Sequence, residues 1–477
     1  MTSQISQIPK IIHQLWIGDK PAPTKMMDTW RDMNPDYEYV RWSEDLIRER
    51  NIKFVCKNRI HEMHEINGKA DIMRWELLYE YGGIFIDADS FCIKPIDDML
   101  QNTKAFAGWE HEVLRKGLIA TGTMGFPPKH PLCLAAIEWI KVHCVDMKIC
   151  KAAAWQTVGP GLLTRMYNEG HGKDMTIFPS YMFLPVHCTG KTYMGHGVVY
   201  AYQEWGSTKK SYDKMNDVCI PDHLLTPKHS VSVLISSFNT KATYIKDCLK
   251  SITDQDGSFN MEIVWINDGS DALNTMLLRR LLDKFMKETR FVTLIYDEND
   301  GNKGIGYTLN KGVLMCTHDI IVKMDSDDIM VDDRIAKQFN LMYNNPQIKI
   351  CGGQVQMFDD NGIRGTSNHQ SITWEQYKQN ISHWFINHPT VCYRKEAILE
   401  AGNYNADLRN KDGDDDLSHD FELELRMLKK YGYIHNFSEV LLHYRIHKNQ
   451  VTFKGGKSGS SFWDKIRKNI IVKFIND

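Results

Sequence analysis

Two short stretches place carboxylates where an apolar strand ends. In 82–91, GGIFIDADSF, the run Ile84, Phe85 and Ile86 stops on Asp87 and Asp89; in 319–330, DIIVKMDSDDIM, a second run stops on Asp325, Asp327 and Asp328. Residues two apart on an extended backbone point to the same side. Each pair therefore gathers like charges, and dehydrating them is unfavourable unless something offsets it. A divalent cation is the natural offset, because hard carboxylate oxygens suit Mg²⁺ or Mn²⁺ and such an ion keeps open positions for substrate phosphates. An acidic pair after a strand also forms turns on its own account. Its recurrence at matching places in both halves favours one cation site per half.

The elements that must position these carboxylates alternate clearly in the second half. Strands are expected at 231–238, 261–267, 291–296 and 319–324, with helices at 241–253, 272–288 and about 304–316 between them. Such alternation predicts a mostly parallel sheet with helices on both faces. Ligands bind such sheets at the carboxyl ends of the strands, and Asn239, Asp268 and the Asp325 cluster fall there. In the first half, strands are expected at 10–18 and 37–42, and Ser43 is placed to cap the helix that follows. A helix over 69–81 has an apolar stripe of Ile72, Trp75, Leu78 and Tyr79 and ends on Gly82 and Gly83. The polar stretch 207–229 reads as a linker between a domain at 1–206 and another at 230–477.

The composition is globular: 477 residues, 42% hydrophobic and 25% charged, long enough for two or three domains. With 58 Lys plus Arg against 60 Asp plus Glu, the net charge of -2 shows no basic excess, so no nucleic-acid partner is expected. The 11 cysteines include no CxxC pair and read as reduced packing residues. MTSQISQIPK has no apolar core, and no run approaches the roughly 18 residues of a membrane span. The expectation is a soluble, cytoplasmic protein.

The second half is similar to glycosyltransferase family 2. VSVLISSFN, INDGS (266–270), NKGIGYTLNKG (302–312), KMDSDD (323–328), HPTVCYRKEAILEAGNYN (388–405), HDFELELRM (419–427) and LLHYRIH (441–447) appear in the family's order. The first half, over 8–206, resembles family 32, which includes yeast-type initiating mannosyltransferases and capsule-sugar transferases. IPKIIHQLWIG, NPDYEYVRW, the run from Ala70 through YGGIFIDAD, and VGPGLLT (158–164) carry that resemblance. It departs at 202–207, where YQEWGS brings Gln203 and Glu204 to a place the family often fills with histidines.

Together these imply two Rossmann-like GT-A domains in tandem, each an α/β/α nucleotide-sugar fold. They also imply a bifunctional hexosyltransferase moving sugars from UDP- or GDP-sugar donors to a glycan or glycoconjugate acceptor. In the second half the resemblance assigns Asp268 to the nucleobase and Asp325 and Asp327 to the ribose and metal, with Asp328 close by as a further donor-binding candidate; Asn239, at its strand end, is a donor-binding candidate too. Family 2 inverts the anomeric centre and needs a base, and its acidic motif stands here as His419 and Asp420, which makes Asp420 the candidate. Asp420 also suits a helix N-terminus electrostatically. His443 and His447 sit in the family's terminal segment, and His447 is the candidate metal or phosphate ligand.

In the first half the resemblance assigns Asp71 and Arg74 to the donor; the plain alternative is an ion pair worth well under ~1 kcal/mol. Family 32 retains configuration, so no separate base is expected there. Two rival readings stand beside this one: a single active domain with a degenerate sugar-binding partner, and a metal-dependent nucleotide hydrolase.

Three further motifs are set aside. GIGYTL (304–309) lacks the third glycine of a dinucleotide fingerprint, GGKSGSS (455–461) lacks the first glycine of a P-loop, and NKDGDDDLSHD (410–420) has Leu417 at a calcium loop's glycine position. GGKSGSS reads as a flexible loop, either a lid over the donor or plain surface. FWDKIRKNIIVKFI (462–475) is a basic amphipathic segment, which either packs on its domain or makes a peripheral membrane contact.

Overall fold

The computed structural model describes residues 7–143, 152–381, 384–407, 419–448, 450, 468–472 and 474. The chain divides into two compact units. The first comprises Met1–Tyr193 and Val198–Pro221; the second comprises Met194–Gly197 and Asp222–Asp477. Residues 207–221, read from sequence as linker, pack with the first unit: Met215 is buried and Lys25 Nζ donates to the Val218 carbonyl at 2.9 Å. GGKSGSS, most of NKDGDDDLSHD and 462–467 lie outside the described residues.

The first unit is built on β1 (Ile11–Leu15), β2 (Glu38–Trp42), α1 (Ile66–Tyr81), β3 (Gly83–Ile86), β4 (Ser90–Cys92), β5 (Ala105–Trp109), β6 (Ile119–Phe126), α2 (Pro160–Asn168), β7 (Met175–Phe178) and β8 (Ala201–Gln203). Its six-stranded sheet runs β2-β1-β3-β6-β5-β7. The β1–β2, β1–β3 and β5–β7 pairs are parallel; the two pairs made by β6 are antiparallel.

The apolar run in β3 has a simple cause. Ile84 and Ile86 pack into the core on one face of the sheet and Phe85 into the core on the other, as strands covered on both faces require. The turn from α1 into β3 needs both glycines. Gly82 and Gly83 take φ of +63° and +93°, and a Cβ would meet Pro128 N at 2.6 Å or the Ile11 carbonyl at 2.7 Å.

The second unit contains β9 (His229–Ser237), α3 (Ala242–Thr253), β10 (Phe259–Asn267), α4 (Ala272–Glu288), β11 (Val292–Glu298), α5 (Ile305–Met315), β12 (Ile320–Asp325), β13 (Ile329–Met330) and α6 (Arg334–Asn344). It continues through β14 (Ile350–Asp359), β15 (Gly362–Thr366), β16 (Ile372–Thr373), the 3₁₀ turn His388–Thr390, β17 (Cys392–Arg394), α7 (His419–Tyr431) and β18 (Tyr433–Arg445). The sheet order is β11-β10-β9-β12-β17-β14-β18-β13, with β15 on β14 and β16 on β18.

The four strands β11, β10, β9 and β12 are mutually parallel, and β17 joins them antiparallel. Ser237 pairs with Asn267 and Ser236 with Asp325, so the carboxyl ends of β9, β10 and β12 finish side by side. Alternation again feeds two cores: Val233 and Ile235 enter one, Leu234 the other. This is the expected mixed α/β architecture, with a mostly parallel sheet in each unit.

At the far C-terminus Ile471 is buried, Ile470 and Phe474 pack against the same core, and Lys429 Nζ donates to the Phe474 carbonyl at 3.0 Å. These three apolar residues of the amphipathic segment are thus taken up by the unit's own core. Among the described residues, no helix is long and apolar enough to cross a membrane.

Candidate active sites

In the first unit β3 ends at Ile86, and Asp87 and Asp89 belong to the turn that leads to β4. The extended-strand argument for their shared side therefore fails; the turn and its partners set their positions. Asp87 Oδ1 accepts from Arg74 Nη2, and its Oδ2 accepts from Gln203 Nε2 at 3.0 Å. Asp89 Oδ2 accepts from the Gly206 backbone N–H at 2.7 Å. Register explains Gln203: β8 pairs antiparallel with β4, placing Gln203 opposite Ser90.

Arg74 is the centre of this cluster. It is 5% exposed, lies 4.7 Å from the centre of the Phe85 ring, donates to the Thr121 carbonyl at 2.5 Å, and has Nη2 3.4 Å from Asp71 Oδ1. The small magnitude expected of an exposed i,i+3 pair does not carry over, because both partners are buried. Burial pushes the Asp71 carboxyl up to about 7, against the pull of Arg74 and with the push of Asp87; burial and the Asp87 charge take Asp89 up to about 7. Three acids thus face one guanidinium, and that surplus is what a hard divalent cation would balance. Among the described residues no three His, Cys, Asp or Glu side chains converge as a ready metal shell.

Two glycines keep this site open. A Cβ on Gly159, which precedes α2, would lie 2.8 Å from Asp71 Oδ2; one on Gly122 would lie 2.5 Å from Gln203 Oε1 and 3.1 Å from Asp87 Oδ2. Gly122→Ala is therefore expected to displace Gln203. The loss of that hydrogen bond is expected to destabilise the first unit by about 1 kcal/mol, a fall of roughly 2–4 °C in its melting temperature. Scanning calorimetry of the full chain checks this.

In the second unit a cavity of about 520 Å³ opens at the carboxyl ends of the strands and is bordered by Asn239, Asp268, Asp325, Asp327, Asp420 and His447. Asn239 is exposed, with φ of +49°. Its Oδ1 accepts from the Asp271 N–H at 2.9 Å, and its own N–H donates to Ser270 Oγ at 2.8 Å, tying two strand-end loops together. Asp268 accepts from Asn299 Nδ2 at 2.8 Å, Lys303 N at 2.9 Å and Gly304 N at 3.0 Å, so it organises the loop that enters α5.

Asp325 Oδ1 lies 2.6 Å from Lys323 Nζ, a lysine only 1% exposed in the middle of β12. Asp327 Oδ2 lies 2.9 Å from His447 Nε2. Asp328 does not border the cavity. It is fully buried, its Oδ1 accepts from the Arg445 N–H at 2.8 Å, its Oδ2 has no partner among the described residues, and burial raises it well above the usual carboxylate range. Three aspartates that look alike in sequence thus divide, two facing the cavity and one turned inward. His443 also lies away from the cavity, opposite Ile329 where β18 pairs with β13.

Asp420 is the second residue of α7 and is half-buried at the cavity wall; its Oδ1 accepts from the Phe421 N–H at 2.6 Å.

Sequence reasoning gave no role to Lys323 or Arg445. Lys323 carries a readable signal, a lone cation inside the apolar run IIVKM. Arg445 does not: it donates to the Asp327 carbonyl at 2.8 Å and to Asp247 at 2.7 Å while stacking on Tyr244 and Phe358, and only the tertiary fold assembles that set.

Comparison with known proteins matches each unit separately. Residues 23–106 match the model of the glycosyltransferase sugar-binding region containing a DXD motif, and residues 232–399 match that of glycosyl transferase family 2. The first match spans Asp71, Arg74, Asp87 and Asp89; the second spans the Asp325 cluster and stops short of Asp420 and His447.

Over 248 residues the chain is 27% identical to the amylovoran biosynthesis glycosyltransferase AmsE of Erwinia amylovora, covering 50% of this chain and 82% of that protein. Over 176 residues it is 31% identical to inositol phosphoceramide mannosyltransferase 3 of Schizosaccharomyces pombe, covering 35% of this chain and 47% of that protein. Among solved structures, S. aureus TarS 1–349 is similar with a TM-score of 0.34 and 16% identity, covering 45% of this chain and 60% of that one. This chain therefore spans less than two thirds of the TarS chain, and less than half of the fission-yeast relative.

Proposed function

We propose that this chain, a glycosyltransferase acting from nucleotide-sugar donors, is bifunctional. The first unit would transfer with retention and the second with inversion, to a glycan or glycoconjugate acceptor and from UDP- or GDP-sugars. The observation that carries the reading is the same arrangement in each unit: a sheet's carboxyl edge delivers an acidic turn onto a buried cation, Arg74 against Asp87 and Lys323 against Asp325. A relative named for amylovoran biosynthesis and another named for mannosyl transfer to inositol phosphoceramide support an acceptor that already carries sugar or polyol hydroxyls.

In the second unit Asp420 takes the proton of the attacking acceptor hydroxyl, as an inverting displacement requires. Asp268 and Asn239 hold the loops against which the nucleoside lies, and Lys323 fixes the Asp325 carboxylate while keeping part of its charge balanced. Asp327 and His447 border the same cavity and lie 2.9 Å apart. Asp87 and Asp89 in the first unit, and Asp325 and Asp327 in the second, would hold one Mn²⁺ or Mg²⁺ each. That ion supplies neutralisation of the charge growing on the diphosphate leaving group. Asp328 enters this reading only as the buried support of the Arg445 segment.

A second reading keeps its own observation. In the first unit Asp87 Oδ2 and Asp89 Oδ2 already accept from Gln203 and Gly206, which fits a sugar-binding unit without turnover. A melting-temperature screen of the full chain against UDP- and GDP-sugars with Mn²⁺, followed by acceptor-free donor hydrolysis, separates the two. Bifunctionality predicts hydrolysis that falls in part with Asp87→Asn and in part with Asp325→Asn. Hydrolysis untouched by Asp87→Asn leaves one active unit.

A further inference from the structure

One buried cluster behind the second-unit cavity has no part in the chemistry described so far. Glu424 stands on α7 one turn beyond Asp420 and is 1% exposed. Its Oε1 lies 2.9 Å from His388 Nδ1. His388, in the 3₁₀ turn that precedes β17, borders the cavity, and its Nε2 lies 3.3 Å from Tyr404 Oη. Tyr404 Oη in turn lies 3.2 Å from Tyr393 Oη on β17, the strand that pairs with β12 and so with the segment carrying Asp325. The rings of His419 and Tyr404 stand nearly perpendicular to that of His388, at 88° and 89°.

We propose that His388 and Glu424 are a positioning pair for the transfer reaction, locking the rotation of α7 so that Asp420 faces the cavity. The inference rests on Asp420 being the base of the second unit. A helix can be held by apolar packing alone, and Phe421, Leu425 and Leu428 supply that. Apolar contacts tolerate small rotations, whereas a buried hydrogen bond to a group in the neighbouring 3₁₀ turn does not. The pair is the polar tie between the helix that carries the base and the sheet that carries the donor carboxylates.

The protonation state follows from the surroundings. The groups facing the pair are Lys323 on β12, His419 and Asp420 on α7, and Tyr404 and Tyr393 from the β17 side. Burial raises Glu424 well above the usual carboxylate range, with the Asp420 charge adding to it and Lys323 opposing. Burial lowers His388 well below the usual imidazole range, with Lys323 and His419 acting the same way. These directions favour the neutral pair over an ion pair, and in the neutral pair Glu424 donates to His388 Nδ1 while His388 Nε2–H donates to Tyr404 Oη.

Glutamine reproduces this arrangement, since its amide N–H donates where the protonated Glu424 does. In the full-length chain, Glu424→Ala is expected to lower kcat of the second-unit reaction by about 10²-fold, the scale of an ångström-size misplacement, with donor KM unchanged. Glu424→Gln should recover most of that loss and leave the pH profile of kcat/KM in place; His388→Ala should behave as Glu424→Ala. Equal losses in Glu424→Gln and Glu424→Ala would overturn the pair, as would a Glu424→Ala chain with unchanged kcat. If Asp420→Asn also turns over normally, the base assignment falls and takes the pair with it. An inactive Asp420→Asn beside a fully active Glu424→Ala removes the pair alone.

Discussion

Asp420→Asn is expected to lower kcat of the second-unit transfer by about 10²–10⁴-fold, the range that positioned general bases supply, while donor affinity stays as it was. The asparagine keeps the size and the local hydrogen bond to the Phe421 N–H but cannot accept the acceptor's proton. Steady-state kinetics with a saturating donor check this, and calorimetric donor binding shows whether the cavity survives. Because α7 is held by its apolar face and by His388, the substitution leaves the fold intact. A loss confined to KM would instead make Asp420 an acceptor-binding group.

Arg74→Met should have the largest effect on stability. The side chain is of similar length, but its removal leaves the buried Asp71 and the partly buried Asp87 together without a counter-charge and the Thr121 carbonyl without its donor. Breaking a buried pair in this way costs about 3–5 kcal/mol. For a unit of this size that is a fall of roughly 6–20 °C in its melting temperature. Calorimetry of the full chain should show the first unit's transition moving and the second's staying. A change under ~1 kcal/mol would mean that the cluster is as well solvated as a surface pair.

The parts of the molecule readable from sequence are those fixed by local pattern. The alternation of apolar runs from β9 to β12 marked the strands within a residue or two, and α4 begins and ends where its pattern does. Once the strands were placed, their carboxyl ends selected Asn239, Asp268 and Asp325 as neighbours, and the cavity borders all three. What local pattern could not give was depth. Asp71 and Arg74 share a helix face by spacing, but Phe85 and the Thr121 carbonyl, both distant in sequence, bury them. Asp328 sits beside two cavity-facing aspartates and is turned inward by Arg445, 117 residues away.

The pairing of Gln203 with Asp87 depends on β8 crossing back to β4, a register no local pattern encodes. The departure at Gln203 and Glu204 nevertheless pointed to the right segment. Gln203 reaches Asp87, while Glu204 is engaged by Tyr202 and Lys209 at 2.7 and 3.1 Å.

The claim that each unit holds its own donor site is tested most directly by counting those sites in the intact chain. Titration calorimetry with the nucleotide sugar that raises the melting temperature, in Mn²⁺, would be run on wild type, Asp87→Asn and Asp325→Asn. The account predicts two independent donor sites in the wild type, with Asp87→Asn losing only the first unit's and Asp325→Asn only the second's. A single site in the wild type, or one that both substitutions abolish, would contradict it.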